Sequence, residues 1–313
     1  MVSSPVSTPA RESAPLPPGC EEGWVETNGA RLHYVAADKG PLALLLHGFP
    51  EFWYSWRYQL PALAFGTHGG LHGSRRVVAL DLRGYNLSEK PYTGYDMVTL
   101  TDDLRGAIAA LTADVPEEQR VADVVGHDWG GILAWALALR APDVVRRLAI
   151  VNAPHPATLR RELLHPRQWL RSSYIAFFQL RGIAERAIAR EDFAMIRRTF
   201  RAADRERAWL SDDEINRFVA AIARAGAVSA ALEYYRQLVR TGPDILGPMR
   251  VIPAPTLVLW GELDPYLGLN FLDGLDRWVG NLRIERFPTA GHWLNQQEPA
   301  RVNTLLDAFL ARS

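Results

Sequence analysis

The sequence predicts an α/β fold in which a mostly parallel sheet is flanked by helices and interrupted by a helical segment. Three observations support this prediction. Short, unbroken apolar runs alternate with stretches of helical spacing, which is the pattern of βαβ units. Glycine-containing or acidic motifs follow several of these runs directly, as is typical where a buried strand ends. A long helical stretch rich in arginine then separates the first strands from the last.

In the first half of the chain, predicted strands and helices alternate. The stretch 24–37 predicts a hairpin with its turn at Asn28 and Gly29, because Asn-Gly favours the positive φ angles of a tight turn. Further strands are predicted at 42–46, 76–80, 121–125 and 147–151, and helices at 56–64, 98–113 and 132–140. This order requires crossover connections and therefore a mostly parallel sheet.

The second half begins with residues 154–247, where helical spacing and many arginines predict helices and no strand. The α/β pattern then returns, with a strand at 256–260, a helix near 269–279, a strand at 282–287 and a closing helix at 299–310. We therefore expect a core domain made of residues 21–153 and 248–313, with residues 154–247 as a helical domain between its two halves.

Composition limits the other features of the chain. Of 313 residues, 48% are hydrophobic and 22% are charged, and the formal net charge is zero, so no nucleic-acid partner is expected. No apolar run reaches the ~18 residues of a membrane span, and we expect a cytoplasmic protein. Residues 1–20 are rich in Ser, Pro and Ala, which is typical of a disordered tail rather than a signal peptide.

Two features that could carry chemistry have simpler interpretations. Cys20 is the single cysteine, so no disulfide can form within the chain, and its Pro-rich surroundings suggest an exposed bystander. The glycine-dense loop 66–74 contains His68 and His72, but no carboxylate or thiol lies nearby. We therefore interpret it as a solvated loop rather than a metal site, and no metal or cofactor is expected anywhere in the chain.

The central motif is the segment 126–130, Gly-His-Asp-Trp-Gly, which follows a predicted buried strand and opens a predicted helix. Small residues on both sides allow the sharp turn that lifts the side chain of Asp128 above the edge of the sheet. A carboxylate is ionised at neutral pH and can attack an activated carbon without a base. The alternative is that Asp128 only caps the following helix, since Asp is a favoured N-cap residue.

Two further side chains follow the last predicted strands. Asp264 comes after the strand at 256–260 and His292 after the strand at 282–287, at ends where a parallel sheet places its active site. If Asp128 forms an ester, His292 can take a proton from water and Asp264 can orient the imidazole. Glu262 is the competing acid, ranked below Asp264 because it lies less deep in the loop.

The motif at 47–50, His-Gly-Phe-Pro, follows the strand predicted at 42–46. From this position the backbone N–H of Phe49, together with that of Trp129, can form an oxyanion hole. Pro50 belongs to the same loop, and we expect it to line the substrate site.

Taken together, the segments 47–57 (His-Gly-Phe-Pro-Glu-Phe-Trp-Tyr-Ser-Trp-Arg) and 126–131 (Gly-His-Asp-Trp-Gly-Gly) resemble the α/β-hydrolase-fold epoxide hydrolases of the soluble type. The chain order of nucleophile, acid and histidine also matches this fold. The resemblance spans about residues 24–310. It implies a helical cap after the sixth strand, a small-molecule epoxide and water as substrates, and release of a vicinal diol from an ester intermediate.

The resemblance also implies two cap tyrosines whose hydroxyl groups hold and protonate the epoxide oxygen. Tyr174 matches the first in the segment 173–179, Ser-Tyr-Ile-Ala-Phe-Phe-Gln. Tyr235 matches the second in Tyr-Tyr-Arg, 234–236, with Tyr234 as the fallback. The alternative is that these tyrosines are only core aromatics.

Two rival functions stay open from the sequence. A haloalkane or haloacid dehalogenase would use the same three residues, but needs side-chain N–H donors for the halide; Trp129 could supply one, whereas Phe49 has none. A non-catalytic ligand-binding protein on the same scaffold would be expected to have lost some of these groups. The sequence also leaves a homodimer open as the assembly.

Overall fold

The computed structural model describes residues 14–66, 75–204, 209–242 and 248–311, apart from the side chain of Arg167. Most of the predicted tail, and His68 and His72 of the predicted loop, lie outside the described residues.

The described chain begins with an antiparallel hairpin of strands β1 (Cys20–Thr27) and β2 (Ala30–Ala37). Its turn residues Asn28 and Gly29 have φ angles of 44° and 72°, which confirms the predicted turn. The interpretation of Cys20 as an exposed bystander was wrong. Cys20 pairs with Ala37 at the start of β1 and packs against the core, and burial raises the pKa of its thiol to about 11.

A single sheet of eight strands is formed by the described residues, in the order β1-β2-β4-β3-β5-β6-β7-β8. From β4 onward all neighbouring strands are parallel, and β2 joins them in the antiparallel sense. The remaining strands are β3 (Leu42–Leu46), β4 (Arg76–Leu80), β5 (Ala122–His127), β6 (Val145–Val151), β7 (Thr256–Gly261) and β8 (Leu282–Phe287). These bounds confirm the predicted strands.

Helices α1 (Gln59–Phe65), α2 (Met97–Leu111) and α3 (Trp129–Arg140) connect the strands of the first half. Every residue of α3 except Arg140 is buried, because the helix packs between the sheet and its neighbours. Asp96 begins α2 by accepting a hydrogen bond from the backbone N–H of Thr99.

A run of helices follows β6 and precedes β7, as the sequence predicts. We call them the inserted helices: α4 (Pro156–Glu162), α5 (Pro166–Arg171), α6 (Ser173–Phe178), α7 (Ile183–Ala203), α8 (Asp212–Ile222) and α9 (Ala227–Thr241). The backbone of α7 is broken at Glu191, Asp192 and Phe193, which have φ angles of 53°, 52° and 61°, so two helical pieces meet there at a left-handed turn. A capping box between Ser211 and Glu214 begins α8.

The helix predicted near 269–279 was wrong. This stretch forms two short 3-10 turns, Leu269–Leu272 and Leu275–Arg277. Asp273 is extended and Gly274 has a φ angle of 72°, and these two residues end the first turn before a helix can propagate. After β8 the chain forms α10 (Leu294–Gln297) and the predicted closing helix α11 (Pro299–Leu310).

Within the described ranges, no single helix is long and apolar enough to cross a membrane. The pair α8 and α9 reaches that length and composition only when taken together, and it is bent by 77°.

Candidate active site

The sharp turn between β5 and α3 carries Asp128 with φ 51° and ψ −119°, a conformation that non-glycine residues rarely adopt. The flanking glycines are required by space. A Cβ on Gly126 would lie 2.4 Å from the carbonyl oxygen of Gly130, and one on Gly130 would lie 2.2 Å from that of Leu46. The Asp128 carboxylate makes no hydrogen bond that caps α3, which contradicts the alternative of a simple helix cap.

The loop after β3 contacts this carboxylate directly. The backbone N–H of Phe49 donates to Asp128 Oδ1 at 2.8 Å. Gly48 allows this approach, since a Cβ there would lie 2.4 Å from the Cβ of Asp128. Trp129 is the first residue of α3, so its N–H is one of the groups that have no partner within the helix. The structure therefore brings both expected oxyanion donors to the side of Asp128.

His292 lies between two carboxylates. Its Nδ1 is 2.7 Å from Asp264 Oδ2, and its Nε2 is 3.6 Å from Asp128 Oδ2. Burial alone would lower the pKa of His292, but the two carboxylates outweigh burial and raise it to about 10. Burial would raise the pKa of Asp128, whereas His292 and the N–H of Phe49 lower it, with a net lowering. The resting site thus holds an imidazolium between two carboxylates.

Asp264 is held by several donors besides His292. It accepts hydrogen bonds from Asn152 Nδ2 at 2.8 Å and from the backbone N–H groups of Tyr266 and Leu267 at 2.8 and 2.9 Å. Glu262, the competing acid, forms an ion pair with Arg286 at 2.9 Å instead. Geometry therefore favours Asp264 as the acid that orients His292.

Asn152 was missed by the sequence analysis. It follows β6 with a φ angle of 41°, and its Oδ1 accepts from the backbone N–H of Gly261 at 2.9 Å. It thus links the ends of β6 and β7 and presents its amide to Asp264. Its place directly after a predicted strand, like that of Asp264 and His292, was the signal that could have found it.

A second buried hydrogen-bond network, which was not predicted from the sequence, holds the backbone at His292. His127 Nε2 donates to the backbone carbonyl of His292 at 2.9 Å, and its Nδ1 hydrogen-bonds Glu51 Oε2 at 2.9 Å. Glu51 also accepts from the backbone N–H of Gly48 at 3.1 Å and from Gln296 Nε2 at 2.7 Å. The Glu51 carboxylate therefore links the loop after β3, the end of β5 and helix α10.

Two tyrosines from the inserted helices lie across from Asp128. The rings of Tyr174 and Tyr235 meet edge-to-face, with centroids 5.9 Å apart, and Tyr235 packs edge-on against Trp129 at 4.9 Å. Burial raises the pKa of both phenols well above the ordinary value, so both keep their protons at neutral pH. Tyr234 faces elsewhere: its hydroxyl donates to the carbonyl of Arg83 at 2.8 Å, which favours Tyr235 over the fallback.

A cavity of about 320 Å³ joins these groups, and we call it the first cavity. It lies between the inserted helices and the ends of the strands, and most of its wall is aromatic or aliphatic. The lining residues are Phe49, Pro50, Asp128, Tyr174, Phe177, Phe178, Ile188, Met195, Ile196, Thr199, Tyr235, Tyr266, His292 and Trp293. Tyr266 and Trp293 were not anticipated from the sequence. Among the described residues, no group of three or more His, Cys, Asp or Glu side chains is arranged to hold a metal ion.

Comparison with known proteins identifies the fold and the relatives of this chain. Residues 41–299 match the family model of the alpha/beta hydrolase fold. The chain is 38% identical over 292 residues to the AB hydrolase superfamily protein YfhM of Bacillus subtilis, covering 92% of this chain and 96% of that protein. It is 38% identical over 306 residues to Epoxide hydrolase 3 of Xenopus tropicalis, covering 93% of this chain and 78% of that protein.

A solved structure shows the same likeness over the full fold. It is that of a mutant epoxide hydrolase from Bacillus megaterium complexed with its product (R)-3-[1]naphthyloxy-propane-1,2-diol. The TM-score is 0.82 at 32% identity, covering 93% of this chain and 100% of that one. From its fold and its relatives, this chain belongs to the epoxide hydrolases of the α/β-hydrolase fold.

Proposed function

We propose that this protein adds water to a small-molecule epoxide and releases a vicinal diol, through an ester formed on Asp128. The observation that carries the proposal is the position of His292 between Asp128 and Asp264, facing two tyrosines across one largely apolar cavity. Such an arrangement offers a nucleophile, a base and two proton donors to one bound molecule.

In the first step, Asp128 Oδ2 attacks a carbon of the epoxide ring, and the bond from that carbon to the ring oxygen breaks. Oδ1 remains in its hydrogen bond to the N–H of Phe49 and becomes the ester carbonyl. The ring oxygen leaves as an alkoxide and takes a proton from Tyr174 or Tyr235. Although burial weakens both phenols as acids, an alkoxide in the same apolar cavity is a stronger base. The tyrosine then regains its proton from the imidazolium of His292.

In the second step, esterification has removed the negative charge of Asp128, one of the two charges that raise the pKa of His292. The neutral imidazole can now act as a base. A water oxygen bonds to the Cγ carbon of Asp128, while one water proton moves to His292. The bond from Cγ to the glycol oxygen breaks, and the glycol takes the second proton to become the diol. Asp128 is again a carboxylate beside an imidazolium, and it carries one oxygen from water.

We propose the inserted helices, within residues 154–247, as a cap domain over a core of residues 21–153 and 248–313. The support is that α6, α7 and α9 each contribute side chains to the first cavity, whereas the acid, base and nucleophile all follow strands of the sheet. Substrate access would then depend on the cap, while the charged groups keep fixed positions on the core.

The experiment is to replace His292 with Ala, add styrene oxide, and measure the intact mass and the mass of the peptide that contains Asp128. We expect one covalent adduct on Asp128, because the ester forms but no base activates water. An unmodified mass, with a substrate that the wild type converts to a diol, would rule out the mechanism. Release of halide from a haloalkane without diol formation from any epoxide would favour a dehalogenase, and binding without turnover would favour a non-catalytic protein.

A further inference from the structure

A second cavity of about 480 Å³ borders His292, the base in the proposed reaction, and adjoins the first cavity there. Four of its lining residues, Thr199, Tyr266, His292 and Trp293, also line the first cavity. The residues that line the second cavity alone are Ala202, Ala203, Leu263, Pro265, Thr289, Gly291 and Gln297. His292 therefore borders both cavities, although it is itself buried.

The aromatic residues Tyr266 and Trp293 border both cavities. The ring of Tyr266 lies edge-on to His292, with centroids 5.1 Å apart, and edge-on to Tyr174 at 5.8 Å. Trp293 lies edge-on to His292 at 5.1 Å. The backbone N–H of Tyr266 donates to Asp264 Oδ1 at 2.8 Å, so the same carboxylate that orients His292 also positions the residue that bears this ring.

The walls of the two cavities differ in chemistry. The first presents mainly rings and aliphatic side chains to its contents, which suits an apolar epoxide. The second carries the hydroxyl of Thr289 and the amide of Gln297, which accepts from the backbone N–H of Gly291 at 2.6 Å. Ala202 and Leu263 are exposed residues of its wall, so the second cavity is open to solvent at that side. The hydroxyl of Thr289 and the amide of Gln297 can hydrogen-bond water there.

We propose that the second cavity delivers the hydrolytic water to His292, and that Tyr266 keeps the substrate out of it. This inference rests on the proposed function. Once the ester has formed, the glycol occupies the first cavity, which Asp128 and His292 both line. The second cavity already reaches His292, so water can approach without passing the bound glycol. Tyr266 borders both cavities, between a mainly apolar path for the epoxide and a path for water that carries Thr289 and Gln297.

The test is a substitution that fills the second cavity only. Ala202 is an exposed residue of α7, so Ala202→Trp can cover the opening without disturbing buried packing. Leu263→Trp fills the same cavity from a different lining residue and serves as the second variant. Ala109→Trp, at an exposed position in α2 that lines neither cavity, is the matched control. Rapid-quench mass spectrometry with styrene oxide measures the rates of ester formation and ester hydrolysis separately.

We expect Ala202→Trp and Leu263→Trp to slow ester hydrolysis several-fold, so that the ester accumulates, while ester formation keeps its rate. The control should change neither rate. Unchanged hydrolysis in both filled variants would overturn the water route, and so would an equal loss in both steps, because the second cavity would then serve the substrate. Absence of the ester in His292→Ala, where no base activates water, would overturn the proposed function as well, which keeps the two failures apart.

Discussion

Asp128 Oδ2 and His292 Nε2 lie 3.6 Å apart, a carboxylate and an imidazolium in contact inside an apolar cavity. In the proposed reaction, the two steps require different charge states of this pair. The carboxylate must be charged for the first step, and the imidazole must be neutral for the second. Formation of the ester removes the charge on Asp128, so the first step itself prepares the base for the second.

The charge of Asp128 can be removed with little change in shape. We expect Asp128→Asn to lower turnover of an epoxide by at least about 10³-fold, because an amide is a poor nucleophile. Turnover is measured as diol formation under saturating substrate. Asp276→Asn, at an exposed position outside both cavities, is the control and should retain wild-type turnover. Retention of substantial turnover by Asp128→Asn would contradict the assignment of the nucleophile.

The two candidate acids after β7 can be separated by matched substitutions. We expect Asp264→Asn to slow ester hydrolysis by roughly 10²- to 10⁴-fold, because the base loses the carboxylate at 2.7 Å that orients it. Glu262→Gln removes only the ion pair with Arg286 and should leave both steps unchanged. The two rates are measured in single-turnover experiments. If Glu262→Gln slowed ester hydrolysis and Asp264→Asn did not, Glu262 would be the acid.

Adjacent tyrosines in α9 provide another matched pair. We expect Tyr235→Phe to slow ester formation by about 10²-fold, because the alkoxide loses a hydrogen-bond donor. Tyr234→Phe should leave this rate unchanged but lower the free energy of unfolding by about 1–3 kcal/mol, since the buried carbonyl of Arg83 loses its partner. The measurements are the burst of ester formation and urea unfolding. If Tyr234→Phe alone slowed ester formation, the fallback tyrosine would be the acid.

The charge state of His292 predicts how stability depends on pH. The folded protein holds this proton up to about pH 10, whereas an unfolded histidine releases it near ~6.5. The contribution of His292 is therefore fully present below about pH 6.5 and is lost as pH rises through about 10. We expect the free energy of unfolding to fall more steeply with pH in the wild type than in His292→Gln, measured by urea unfolding at about pH 7 and about pH 9.5. An equal dependence of the free energy of unfolding on pH in the two proteins would contradict the raised pKa of His292.

Much of the fold could be predicted from local pattern. Buried parallel strands are short apolar runs, and the glycines of the segment 126–130 are required by close backbone contacts, so both leave a clear trace in the sequence. The stretch 269–279 was wrongly predicted as a helix, because leucines at helical spacing also occur in irregular turns. There, Gly274 at positive φ decided the outcome.

By itself, the sequence determined the order of the elements, the sharp turn that bears Asp128, and the placement of Asp264 and His292 after strands. These features depend on residues close together in the chain. The sequence ranked Asp264 above Glu262 and Tyr235 above Tyr234, but only the tertiary structure shows which member of each pair faces the site. It also placed Tyr266 in the walls of both cavities. The physical reason is that neighbouring side chains point in different directions, and only packing between distant segments selects the one that meets His292.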